Sequence, residues 1–282
     1  MKNILVPTDF SKVSINALEV ALDIAKRSGA DVTLLHVVEE ATLESFSVSG
    51  QGPPKGWEEK MFTAELIKKA KKQLEKVVLD PKYKSVTING EIRVGNPFHG
   101  MRTIISEQKP DLVVMGTHGQ TNLESMIIGS NTERVVRHAK SPVLSIHQKP
   151  TNLNFKNIVF ATGMHKDEEV FSRIVKRAQE IYKATVHFVR INTPGDFQRD
   201  RVVKDYMEKF AKKLGFKNYT VNVYNDTSTE EGVIYFAESI NADMIAMATH
   251  GRTGFAHVMA GSIAEDVVGH SKRPVLTFVT KR

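Results

Sequence analysis

Apolar residues along this chain fall into short blocks, and the blocks switch between two periods. Residues 3–6 are a brief apolar run closed by Pro7, the length of a buried strand. Ser11 then stands before a helical pattern that places Leu18, Ala21, Leu22 and Ala25 on one face, so its hydroxyl suits an N-cap. Residues 32–38 are a second strand. Residues 41–56, rich in Ser, Gly and Pro, read as a flexible loop. A long helix follows, with Phe62, Leu66, Ala70, Leu74 and Val77 spaced for one face. Residues 86–94 alternate as a strand, and the Gly95-Asn96-Pro97 turn opens a short helix over 98–107. Residues 112–115 are a buried strand, 130–139 a helix and 142–146 a last strand.

The pattern then repeats. Asn3-Ile4-Leu5-Val6-Pro7-Thr8 returns as Asn157-Ile158-Val159-Phe160-Ala161-Thr162. The stretch from Pro110 to Gly119 returns from Ala242 to Gly251, and Lys140-Ser141-Pro142-Val143-Leu144 returns as Lys272-Arg273-Pro274-Val275-Leu276. A period this long marks a duplicated unit rather than a short solenoid repeat. The polar stretch Gln148-Lys149-Pro150-Thr151-Asn152 suits the seam, giving expected domains over 1–148 and 153–282.

Strands alternating with helices predict an α/β fold with a parallel sheet covered on both faces. The expectation is two tandem doubly wound domains, each with five strands in the order 3-2-1-4-5. Strands 1 and 4 of such a sheet are neighbours, and ligands bind in the crevice at their carboxyl ends. The unusual residues stand there: Pro7-Thr8-Asp9 after strand 1, and Gly116-Thr117-His118-Gly119 after strand 4.

Composition narrows the chemistry. With 41% hydrophobic and 25% charged residues, the chain can build a core in each half and is not a disordered one. Cys is 0, which excludes disulfides, thiolate metal sites and a Cys nucleophile. No apolar run approaches the roughly 18–20 residues of a membrane span, and the start of the chain does not resemble a secretory signal, so a cytoplasmic protein without a membrane partner is expected. The net charge of +7 is spread over both halves. Its densest stretch, Lys68-Lys69-Ala70-Lys71-Lys72, lies opposite Leu66, Ala70 and Leu74 and reads as a solvated helix face, not a specific nucleic-acid site.

After strand 4 the chain reads Gly116-Thr117-His118-Gly119, nine residues, then Gly129-Ser130-Asn131-Thr132. The glycines let backbone come close to a bulky anion. Gly129-Ser130-Asn131-Thr132 opens a helix, whose free N–H groups and positive end suit phosphate, with Ser130 and Thr132 adding hydroxyl donors. A Gly-Ser start alone is an ordinary helix cap. The full spacing, with Asp9 on the neighbouring strand end to accept from a ribose hydroxyl or meet a cation, reads as a nucleotide cradle. Neither a Gly-x4-Gly-Lys-Ser/Thr loop nor a Gly-x-Gly-x-x-Gly turn is present.

These residues, together with Leu34-Leu35-His36-Val37, Gly95-Asn96-Pro97 and Ser141-Pro142-Val143-Leu144, resemble the universal stress protein family along the whole first unit and more weakly along the second. The resemblance implies ATP, or ADP or AMP, with or without Mg²⁺. Asp9 would lie near the ribose, with Pro7 and Thr8 beside it, and the Val37 backbone would meet the adenine. Met115, Gly116, His118 and Gly119 would meet the phosphates with Gly129, Ser130, Asn131 and Thr132. It further implies a stress-response role, and units that pair through their last strands, within the chain or across a homodimer.

The second unit departs from the motif. Gly163 stands for Asp9, Ala248 for Gly116, and Arg190 aligns with Val37, while Gly251 and Gly261-Ser262 persist. Ordinary ATP binding is therefore not expected there; the open readings are a structural partner or a site for another anionic ligand. No two His residues have metal-ligand spacing. His36 reads as a packed strand residue, His118 and His250 as loop residues near phosphate or loop carbonyls, and Trp57 as helix-start packing. No nucleophile stands beside a base, so slow ATP hydrolysis is the most enzymatic behaviour expected. A phosphoryl or nucleotidyl transferase, and a nucleotide-independent interaction or chaperone-like protein, are the alternatives.

Overall fold

A computed structural model describes residues 1–39, 57–117, 129–163, 168–250 and 263–280. The expected 41–56 loop, His118 and Gly119 lie outside the described residues, as do Gly251, Gly261 and Ser262 and the side chains of Trp57 and His250.

The first half runs β1 (Asn3–Pro7), α1 (Lys12–Ser28), β2 (Asp31–Val38), α2 (Trp57–Val78), β3 (Ile88–Val94), α3 (Pro97–Gln108), β4 (Leu112–Gly116), α4 (Ser130–His138) and β5 (Val143–Ile146). The second runs β6 (Asn157–Ala161), α5 (Glu168–Tyr182), β7 (Thr185–Asn192), α6 (Asp200–Lys213), β8 (Tyr219–Asn225), α7 (Thr229–Ser239), β9 (Met244–His250), α8 (Ile263–His270) and β10 (Val275–Thr280). All strands join one ten-stranded sheet in the order β3-β2-β1-β4-β5-β10-β9-β6-β7-β8. Within each half the order is 3-2-1-4-5 and every pairing is parallel. The one antiparallel pairing joins the halves, with Leu144 opposite Leu276.

The strands alternate between two cores, as the pleat requires. Ile4, Val6, Leu34, Leu112 and Val114 face the α1 and α2 side, against Leu18, Ala21 and Leu74. Leu5, Leu35, Val113 and Met115 face α3 and α4, against Met101, Ile104 and Val135. In the second half the first of these layers is aromatic. Phe160 meets Phe171 edge-on at 5.4 Å, and Phe188 packs edge-on against Phe216 at 5.1 Å. Rings at these separations stabilise beyond their buried area.

Ion pairs lock the halves together. Arg137 of α4 forks onto the buried Glu265 carboxylate of α8, at 2.9 and 2.5 Å. On the opposite face the Tyr182 hydroxyl donates to Asp23 at 3.2 Å and Arg177 pairs with Asp111 at 3.7 Å, while Lys149 ties the seam to Glu19 at 2.7 Å. Burial pushes the Tyr182 phenol up, and the neighbouring Asp23 carboxylate adds to this. Each half also ties its first strand to its fourth by the same device. Asp111 accepts the N–H groups of Lys2 and Asn3, and Asp243 those of Lys156 and Asn157. Among the described residues, no helix is long and apolar enough to cross a membrane.

Candidate functional site

Where β1 ends, the backbone turns through Phe10, whose φ of 62° lies in the left-handed region. A non-glycine residue there costs roughly 1–2 kcal/mol. Local bonds hold it: Thr8 Oγ1 accepts the Phe10 N–H at 3.0 Å, and Asp9 Oδ1 accepts the Ser11 N–H at 3.0 Å. The Phe10 ring packs against His36 at 4.7 Å. His36 Nδ1 lies 2.7 Å from the Thr8 carbonyl, which can only accept, so Nδ1 carries a proton. Thr8 Oγ1 also reaches Ser14 Oγ at 3.0 Å, binding the strand end to the first turn of α1.

The facing wall comes from the β3–α3 turn. Gly95, at φ 121°, makes a turn that a side chain would strain and donates its N–H to Val38 at 2.9 Å. Asn96 then caps α3 through the His99 N–H, and Pro97 takes a first-turn position that needs no donor. The floor is the end of β4. A Cβ on Gly116 would lie 2.9 Å from Val13 Cγ1 and 3.3 Å from the Ser14 nitrogen. Glycine is thus needed there for the approach of α1. Gly129 caps α4 and donates its N–H to the Thr117 carbonyl at 2.8 Å. The next N–H groups, of Ser130, Asn131 and Thr132, have no carbonyl within their own helix. The Thr132 hydroxyl is buried and donates to the Gly116 carbonyl at 2.9 Å.

Together these elements enclose a crevice of about 730 Å³. Pro7, Thr8, Asp9, Val37, Met115, Gly116, Gly129, Ser130, Asn131 and Thr132 all line it. Sequence reasoning missed Phe10, Ser14, Pro97, Met101 and one stripe of α2, namely Leu66, Lys69, Ala70 and Gln73. The i, i+3, i+4, i+7 spacing of that stripe is its signal in the sequence. The lysine run remains exposed, but Lys69 stands at the crevice as well as in solvent.

A sequence model of the universal stress protein family matches residues 1–147 and again 154–278. The chain belongs to the universal stress protein family. Universal stress protein MJ0531 of Methanocaldococcus jannaschii is 35% identical over 150 residues, covering 53% of this chain and 83% of that protein. Universal stress protein Slr1230 of Synechocystis is 22% identical over 290 residues, covering 99% of this chain and all of that one. The crystal structure of a universal stress protein from Archaeoglobus fulgidus matches with a TM-score of 0.76 at 20% identity, over 99% of this chain and 96% of that one, and shares its fold.

The second universal stress protein repeat can now be aligned by strand register. Pro7 pairs with Leu35 and Ala161 with Val189, while the Thr8 N–H reaches Leu35 and the Thr162 N–H reaches Val189. Arg190 is therefore the counterpart of His36, not of Val37. The counterpart of Val37 is Ile191, and the apolar character of that position is kept. The carboxylate lost at Gly163 reappears from another element. Glu168 of α5 is 2% exposed and accepts the Thr162 hydroxyl and the Gly163 N–H, where Ser14 contacts Thr8 in the first half. The second crevice is smaller, about 230 Å³. Among the described residues, no cluster of three or more His, Asp or Glu could hold a metal ion.

Proposed function

We propose that this chain is a regulatory protein that binds one adenine nucleotide, in the crevice of its amino-terminal half. The observation that carries the reading is the joining of an acidic strand end, an apolar wall and an open helix start around one cavity. Its volume of about 730 Å³ lies within the roughly 300–1,000 Å³ of ligand pockets. Asp9 would accept from a ribose hydroxyl, and the wall at Val37 would take the base. The first turn of α4 would receive phosphate oxygens through N–H groups at its positive end. Lys69 would add an ammonium at the rim, and Mg²⁺ would be held chiefly by the phosphates. The reading is binding without efficient turnover: occupancy reports adenine-nucleotide supply to a stress response.

Calorimetric titration of ligand-stripped protein with ATP, ADP and AMP, each with Mg²⁺, tests it. One nucleotide per chain is expected, with binding lost in Asp9→Ala. Flat titrations with all three nucleotides overturn it.

A further inference from the structure

Between α1 and α5, over the seam where the two halves join, lies a cavity of about 240 Å³. We propose that it is a binding site for a small monocarboxylate with an apolar body, of the medium-chain fatty-acid type, separate from both crevices. Its floor is Leu144 and Leu276, which face each other across the seam, and Ile24 of α1 and Ile174, Ala178 and Ile181 of α5 wall it. The two leucines and Ile24 are buried. A cavity of about 150 Å³ lined by such residues already admits benzene, so this one takes a body of roughly six to ten carbons.

The repeat shows why there is room. Asp111 and Asp243 each accept the N–H groups of the strand beside them, which makes Met1 the counterpart of Phe155. Phe155 is buried and packs on Tyr182 at 4.9 Å, whereas Met1 is half-buried. The helix ends align likewise: Ala30 donates its N–H to Ala25, and Ala184 to Gln179, so Ala178 stands where α1 has Ile24. Met1 and Ala178, each the smaller of its pair, both line the cavity. The same alignment inverts charge. Where α1 carries Glu19 and Asp23, α5 carries Arg173 and Arg177, and both arginines line the cavity. Arg177 Nη1 lies 3.7 Å from Asp111 Oδ1, a long pair, while the other Asp111 oxygen accepts the Lys2 and Asn3 N–H groups. Among the described residues Arg173 has no hydrogen bond or ion pair. Glu169, one turn before it, is paired with Lys213. Two guanidiniums against one carboxylate leave a single positive charge beside an apolar chamber. A fatty-acid anion meets both features, its chain on the leucines and its carboxylate at the arginine forks.

The test titrates the ligand-stripped full chain calorimetrically with butanoate, hexanoate and octanoate, and with octanol and octylammonium as probes of matched body. Octanoate is expected to bind at one per chain, with affinity rising about fourfold per methylene along the acid series. Octylammonium should bind at least about fivefold more weakly than octanoate. Arg173→Gln, at an exposed position, should weaken octanoate roughly 2- to 5-fold and leave octanol unchanged. Ala178→Leu fills the cavity with a good helix former and should abolish octanoate binding while thermal melting shows the fold retained. Saturating ATP should change none of this, so the site stands or falls apart from the nucleotide reading. The proposal is overturned if octanoate does not bind, if affinity is flat along the acid series, if octylammonium binds as tightly, or if either variant binds octanoate like the unaltered chain.

Discussion

Replacing Gly116 by Ala tests how closely helix α1 supports the crevice floor. The backbone at Gly116 has no left-handed φ, so the substitution acts through space alone. The new Cβ would lie 2.9 Å from Val13 Cγ1, 3.2 Å from the Val13 carbonyl carbon and 3.3 Å from the Ser14 nitrogen. The Val13 side chain can turn away, but the two backbone atoms move only if the first turn of α1 moves. Overpacking of this kind costs about 1–3 kcal/mol. At about 2–4 °C per kcal/mol for a chain of this class, the melting temperature should fall by about 2–12 °C. Ser14 carries the hydroxyl contact to Thr8, so the shift also reaches Asp9. Passed on in full, it weakens nucleotide binding roughly 5- to 150-fold, at 1.4 kcal/mol per tenfold. Thermal denaturation and calorimetric titration measure both effects. A melting temperature within about 1 °C of the unaltered chain, with unchanged nucleotide affinity, would refute the claim that α1 supports the floor.

Thr132→Val removes the hydroxyl tie from α4 to the Gly116 carbonyl and should cost about 1 kcal/mol in chemical denaturation; no loss would mean the tie is not structural. Arg137→Met withdraws the guanidinium from Glu265, which is 5% exposed, while Arg137 itself is half-exposed. Its cost should fall between the roughly 1 kcal/mol of a surface pair and the roughly 3–5 kcal/mol of a buried one, read as a lower denaturation midpoint. Burial holds the His187 imidazole below its ordinary pKa. The unfolded chain therefore takes up that proton first, and stability should decline as pH falls from about 6.5 toward the folded-state value. His187→Gln should flatten this slope in denaturation series at several pH values, and an unaltered slope would count against the assignment.

Strands were legible because each is a short apolar block, and the helices because Leu18, Ala21, Leu22 and Ala25 repeat at helical spacing. The crevice could be read from Asp9 and the Gly-Ser helix start, since a doubly wound sheet brings strand ends 1 and 4 together. The misplacement of Arg190 has a simple cause. One residue of slip in a strand moves a side chain to the opposite face, and the apolar runs of β2 and β7 do not mark which residue faces which helix. The paired threonines Thr8 and Thr162 were the better anchor. Glu168 was hidden for a related reason: it brings a carboxylate to the end of β6 from the helix position that Ser14 holds in the first half, not from the place of Asp9 in the motif. Hydroxyls and glycines serve packing and binding alike, so the packing roles of Thr132 against the Gly116 carbonyl and of Gly116 against Val13 were not legible in the motif.

The antiparallel seam at β5 and β10 makes the molecule two-ended. Carboxyl termini of the first five strands open on one rim of the shared sheet, and those of the second five on the rim opposite. A flat partner resting across one mouth cannot also touch the other. The two crevices therefore open in different directions.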